Sequence, residues 1–251
     1  KGQSLGQLTQ PGIGSAAMAT EEDRSDAFLT FTSFNYPTSI LHVDLTRPSM
    51  PGELWAQPPV PVDPASVEVE QVWYPSKDGT KISMFLVHKK GLTKNGRTPT
   101  LLYGYGGFNI NMTPAFSAPL FQWYDAGGVY AVPNLRGGGE YGDAWHDAGM
   151  LAHKQYTFDD FIAAAEWLSA SKYTDAAHLA IYGGSNGGLL TGTMVTQRPD
   201  LFRTAVVAVP LLDMLRYQDF LMARYWVPEY GTAEDPEQFK YLFAYSPYQH
   251  V

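Results

Sequence analysis

The sequence predicts an α/β fold: a mostly parallel, doubly wound sheet, preceded by a separate antiparallel element. Three observations carry that expectation. From residue 67 onward, short apolar runs alternate with helical spacing, and each run ends in a glycine-bearing loop. One of those junctions reads Ile181-Tyr182-Gly183-Gly184-Ser185-Asn186-Gly187-Gly188, a strand-to-helix turn carrying one serine among glycines. Ahead of this region lies a stretch with the strict alternation of a hairpin, followed by six prolines between Pro48 and Pro64.

Composition limits the possible functions. The 251 residues are 45% hydrophobic and 14% aromatic, enough to bury a core. Seventeen basic against twenty-five acidic side chains give a net charge of −8, which argues against a nucleic-acid surface. No cysteine occurs, so disulfides, thiol catalysis and cysteine metal sites are excluded. No apolar run approaches the roughly 18 residues that span a bilayer, so no membrane association is expected. The histidines form neither H-x₃-H nor H-E-x-x-H, giving no support to a metal site, and no cofactor motif is present. The first residues lack both a methionine and a signal-peptide core, so either a processed terminus or a piece of a longer polypeptide is expected.

Residues 1–25 are small and polar, broken by Pro11, Gly12 and Gly14, and predict loop with one strand at most. Residues 27–34 and 39–45 alternate apolar and polar around Asn35-Tyr36-Pro37, a hairpin suited to a sandwich or a propeller blade. The proline-rich segment that follows forbids helix and central strand, and places a domain boundary near Gln57–Pro59. Residues 67–74 and 81–87 form two strands around Asp78-Gly79, where a hairpin wants such a pair. Further strands are expected at 100–103, 128–133, 179–182 and 204–209. Thr157, with Asp160 three residues on, predicts a helix start, and Phe158, Phe161, Ile162, Ala165 and Leu168 continue at helical spacing. The helix after Ser185 is expected to run to about Gln197.

A serine nucleophile needs oxyanion donors, a base, and an acid to orient the base. The backbone N–H of Asn186 follows Ser185 and is one expected donor. The loop Gly104–Phe108 follows an early strand, and the Tyr105 hydroxyl is the second candidate. The base is harder to find. Only His250 follows Ser185, while His42, His88, His146, His153 and His178 precede it and read as surface or structural histidines.

The strings YGYGGF at 103–108, RGGGEYG at 136–142, GGSNGG at 183–188 and QRPDLF at 197–202 together resemble the prolyl oligopeptidase family of serine peptidases. YPSKDGTKI at 74–82 fits the same family. The resemblance implies an α/β-hydrolase fold over residues 59–251, with residues 1–58 as the end of a β-propeller. It implies hydrolysis of short proline-containing oligopeptides on the carboxyl side of proline, through an acyl-enzyme. Ser185 would be the nucleophile, with the Tyr105 hydroxyl and Asn186 N–H as oxyanion donors. Trp226 would stack on the substrate proline, and Phe108, Leu211 and Tyr230 would wall that pocket. The family's triad aspartate and histidine would lie beyond Val251, so the 251 residues alone are expected to be inactive. Separately from the resemblance, a monomer without cofactor is expected, in the cytoplasm, with the periplasm or secretion as alternatives. An esterase, or a non-catalytic binding protein of the same fold, are the alternatives.

Overall fold

In a computed structural model, Ser4 and residues 6–251 are described. They form two compact units. Residues up to Glu70, with Val87–Gly91 and Thr113–Ala126, make the first; Gln71–Leu86, Leu92–Met112 and Gly127–Val251 make the second. The first unit therefore extends past the boundary expected near 57–59 and takes in two later segments of chain.

The first unit holds an antiparallel sheet of β1 (Ser15–Ala19), β2 (Asp26–Ser33), β3 (Tyr36–Asp44) and β4 (Glu53–Ala56), in that order. The expected hairpin is β2–β3, paired from Asp26 opposite Asp44 to Phe31 opposite Ser39. Its alternation works as written in the sequence: Ala27, Leu29, Phe31, Leu41 and Val43 form the buried cluster. The proline-rich segment differs from expectation by containing β4. Lying at the sheet's edge and clear of the prolines, β4 needs only one partner, so the density of prolines does not preclude it. The short helix α1 (Leu120–Asp125) also belongs here and buries Phe121 and Tyr124.

A second sheet has six strands: β5 (Val67–Pro75), β6 (Lys81–Lys89), β7 (Thr100–Tyr103), β8 (Val129–Pro133), β9 (Leu179–Gly184) and β10 (Thr204–Ala208). Their spatial order is β10-β9-β7-β8-β6-β5. The β7–β8, β7–β9 and β9–β10 pairs are parallel. β5 and β6 are neighbours joined only by residues 76–80, a connection that suits an antiparallel pair. The sheet is thus mixed, with its parallel half around β7 and β9.

Helices α2 (Asp143–Asp147), α3 (Lys154–Ala170), α4 (Asn186–Gln197), α5 (Val227–Tyr230) and α6 (Pro236–Tyr245) complete the second unit. Phe158, Phe161, Ala164, Ala165 and Leu168 of α3 and Leu189, Leu190 and Met194 of α4 meet Leu102, Val129, Leu179 and Ile181 in one core. At roughly 25 cal/mol per Å² of apolar surface, that burial is the main stabilising contribution.

The expected start of α3 is corrected. The helix begins at Lys154, so Thr157 lies inside it rather than capping it. Its hydroxyl donates to the Arg136 carbonyl at 2.8 Å. Asp160 is wholly buried and accepts from Arg136 Nη2 at 2.6 Å and from the Arg136 backbone N–H at 3.1 Å. Long-range pairing to the RGGG turn claims both residues, which read locally as a capping box.

Candidate active site

Strand β9 runs into α4 through Ser185, whose φ of 58° and ψ of −117° lie outside the regions favoured by non-glycine residues. The turn is held from both sides: Ser185 N donates to the Ala208 carbonyl at 3.0 Å, and Gly188 N donates to the Ser185 carbonyl at 2.9 Å. A Cβ at Gly188 would stand 2.5 Å from the Ala208 carbonyl oxygen, so the close approach of α4 to β10 requires glycine there. As the first residue of α4, Asn186 has a backbone N–H with no acceptor inside the helix.

The loop after β7 faces this turn. The Tyr105 hydroxyl is a hydrogen-bond partner of the Ser185 side chain. Burial pushes the Tyr105 phenol above its ordinary pKa; Ser185 pulls it down, and the Glu229 carboxylate adds a smaller upward push. At neutral pH Tyr105 therefore keeps its proton beside the serine hydroxyl.

The Asn186 side chain ties the elbow to that loop. Its Nδ2 donates to the Tyr105 carbonyl at 2.5 Å, and its Oδ1 accepts from the Tyr230 hydroxyl at 2.8 Å. Gly107 packs against the same amide: a Cβ there would sit 2.6 Å from Asn186 Nδ2.

A cavity of about 480 Å³ opens beside Ser185, lined by Pro210, Leu211, Phe220, Leu221, Met222 and Trp226 among others. Trp226 meets the Phe108 ring edge-on at 6.4 Å between centroids. Neither Phe108 nor Tyr230, both expected as walls, lines this cavity, and Tyr230 lies the deeper of the two. It is fully buried behind Phe108, with ring centroids 5.5 Å apart, and does not line the cavity. Its phenol must satisfy its hydrogen bond inside the protein, and the Asn186 amide provides the acceptor.

Three further residues stand behind the loop: Glu229 and Lys154, which nothing in the sequence singles out, and His146, which reads there only as a surface or structural histidine. Glu229 on α5 accepts from the Phe108 backbone N–H at 3.0 Å through Oε1, and its Oε2 lies 2.7 Å from His146 Nε2. Lys154 donates to the Gly106 carbonyl at 2.8 Å and lies 3.6 Å from Glu229 Oε1. Burial lowers the Lys154 pKa to about 8, with Glu229 opposing the shift. His250, the histidine that follows Ser185 in sequence, is occupied elsewhere: its Nδ1 pairs with the Ser246 carbonyl at 2.9 Å.

A mixed sheet whose parallel half carries a strand–serine–helix elbow beneath a glycine-rich loop defines the class, an α/β-hydrolase domain. The profile of the prolyl oligopeptidase family matches residues 114–251, more than half of the chain, and the chain belongs to that family. Over its whole length it is 46% identical to the prolyl endopeptidase of Elizabethkingia meningoseptica, covering 36% of that protein. It is 41% identical, again over its whole length, to the prolyl endopeptidase of Dictyostelium discoideum, covering 33% of it. A solved prolyl endopeptidase structure superposes with a TM-score of 0.91 at 58% identity, over 97% of this chain and 36% of the other. Prolyl oligopeptidase B of Galerina marginata, in its apo form, superposes with a TM-score of 0.90 at 39% identity, over 98% of this chain and 36% of the other. The chain thus spans about a third of the length of the relatives it matches.

Proposed function

We propose that the protein to which this chain belongs is a serine endopeptidase that cleaves short peptides on the carboxyl side of proline. The observation that carries this reading is that Ser185, Leu211 and Trp226 line one cavity, so the elbow serine opens onto an apolar slot with an indole in its wall. A flat aromatic face suits the rigid pyrrolidine ring, and an apolar slot disfavours charged side chains.

In this reading Ser185 Oγ attacks the carbonyl carbon of the proline residue. The tetrahedral oxyanion forms between the Tyr105 hydroxyl and the Asn186 N–H, which stabilise charge that the ground state lacks. Collapse expels the amine and leaves the acyl-enzyme, which water then hydrolyses. Trp226 stacks on the proline, with Phe108 set edge-on to the indole and Leu211 closing the apolar side. Tyr230 supports the site from behind through Asn186. A histidine and an aspartate from outside the 251 residues act as base and orienting acid. Residues 1–58 are the closing part of a β-propeller, and the substrate is a proline-containing oligopeptide. No nucleic acid, membrane or cofactor takes part, and the protein works as a cytoplasmic monomer. No helix among the described residues is long and apolar enough to cross a membrane.

The deciding experiment is hydrolysis of two chromogenic peptides by the full-length protein, one ending in proline and one in arginine. Release from the proline peptide alone, lost in Ser185→Ala, supports the reading. Release from the arginine peptide, or activity that survives Ser185→Ala, overturns it.

A further inference from the structure

The loop Gly104–Phe108 carries three glycines in five residues, so few side chains of its own hold it in place. Its backbone is instead held point by point. Gly104 N donates to the Tyr182 carbonyl at 3.1 Å. The Tyr105 carbonyl is taken by Asn186, the Gly106 carbonyl by Lys154, and the Phe108 N–H by Glu229. Phe108 itself has a φ of 57°, a left-handed conformation that a bulky residue adopts only under constraint.

Lys154 is an improbable residue for its position on energetic grounds. It is the first residue of α3, near the positive end of the helix dipole, and it is 1% exposed. Both factors oppose an ammonium there. What offsets them is the carboxylate of Glu229, itself 5% exposed, and the Gly106 carbonyl. The Phe108 N–H donates to Glu229 Oε1 and His146 Nε2 lies 2.7 Å from Oε2, so Glu229 has a partner at both oxygens. This costly buried cluster touches the backbone on either side of Gly107, in the loop that carries Tyr105.

We propose that Glu229, backed by Lys154 and His146, is a positioning residue that sets the Tyr105 hydroxyl over Ser185. The cluster clamps Gly106 and Phe108 so that the loop is already in place when charge develops on the substrate. Preorganisation of this kind acts on the transition state rather than on ground-state binding, and therefore on kcat rather than KM. The inference rests on the reading of Ser185 and Tyr105 as nucleophile and oxyanion donor.

The test is a double-mutant cycle in the full-length enzyme with a chromogenic proline peptide. Glu229→Ala is expected to lower kcat about tenfold or more while KM changes by less than about threefold. Glu229→Gln, which keeps an acceptor for the Phe108 N–H, is expected to recover most of that loss. In a Tyr105→Phe background the further loss from Glu229→Ala is expected to shrink to under about threefold, because the hydroxyl it positions is gone. The same fold-loss in both backgrounds, or a rise in KM at unchanged kcat, overturns the positioning role. If Glu229→Ala does not fold, Lys154→Met in the same cycle decides by the same criterion. The underlying reading fails separately: Tyr105→Phe alone would then leave kcat intact, and the positioning role would fall with it.

Discussion

The Asn186 side-chain amide donates to the Tyr105 carbonyl at 2.5 Å, so the residue next to the elbow serine also fixes the loop that faces it. The two oxyanion donors proposed here are therefore parts of one rigid piece. Asn186 is 1% exposed, and its other amide atom accepts from the buried Tyr230 hydroxyl.

Replacing Asn186 by alanine leaves both the Tyr105 carbonyl and the Tyr230 hydroxyl without their partner. Each unsatisfied buried group costs about 1–3 kcal/mol. Asn186→Ala is expected to lower the denaturation midpoint of the domain and to reduce kcat, although its backbone N–H is retained. Unchanged stability in chemical denaturation would contradict this account of the amide.

Tyr105→Phe removes one hydroxyl from the oxyanion site and little volume. Loss of one such donor costs on the order of 10²–10³ in kcat. Steady-state kinetics should show that loss with KM nearly unchanged.

Trp226→Leu keeps the cavity apolar but removes the flat face. Aromatic stacking contributes roughly 0.5–1.5 kcal/mol beyond area burial, so kcat/KM for a proline peptide is expected to fall about tenfold once lost contact area is included. An alanine-for-proline peptide should lose much less, and an equal loss for both would remove Trp226 from the specificity pocket.

Gly107→Ala forces a methyl against the Asn186 amide, 2.6 Å away where ordinary contact begins near 3.4 Å. A buried backbone must shift to admit it, at a cost of about 1–3 kcal/mol. The expected readout is a lower kcat together with a lower midpoint.

The Lys154 amine has a pKa of about 8 in the folded protein against its ordinary value of 10.5. Between those values the unfolded chain binds more protons than the folded one, so this group's contribution to stability rises with pH across the window. Below pH 8 both states carry the charge, and the burial penalty is felt in full. The midpoint of the parent protein relative to Lys154→Met should therefore increase from pH 8 towards pH 9.5. A flat difference would mean that the ammonium is not desolvated.

The elbow was legible in sequence because its chemistry is local: glycines beside Ser185 are needed at adjacent positions, and adjacency is what a sequence displays. The strands around it were legible for the same reason, through runs such as Leu179–Tyr182. Thr157 and Asp160 misled because their spacing satisfies a local rule, while a pairing with Arg136 more than twenty residues earlier decides their role. An aromatic at the place of Tyr230 in the family pattern suggests contact with substrate; only its burial reveals that its hydroxyl serves Asn186. Glu229 and Lys154 carry no signal, and His146 reads only as a surface or structural histidine. Each is an ordinary charged or polar residue until folding brings it to the same loop.

The partners of the loop lie far from it along the chain: Lys154 is 48 residues from Gly106, Asn186 is 81 from Tyr105, and Glu229 is 121 from Phe108. None of these contacts can form until the sheet, α3 and α5 have already come together, because closing such long loops costs entropy that the loop's own few contacts cannot offset. During refolding, then, helical and sheet signals should recover before catalytic competence does. The order would reverse on heating, with the Gly104–Phe108 loop loosening first and activity fading while the sheet beneath it still holds.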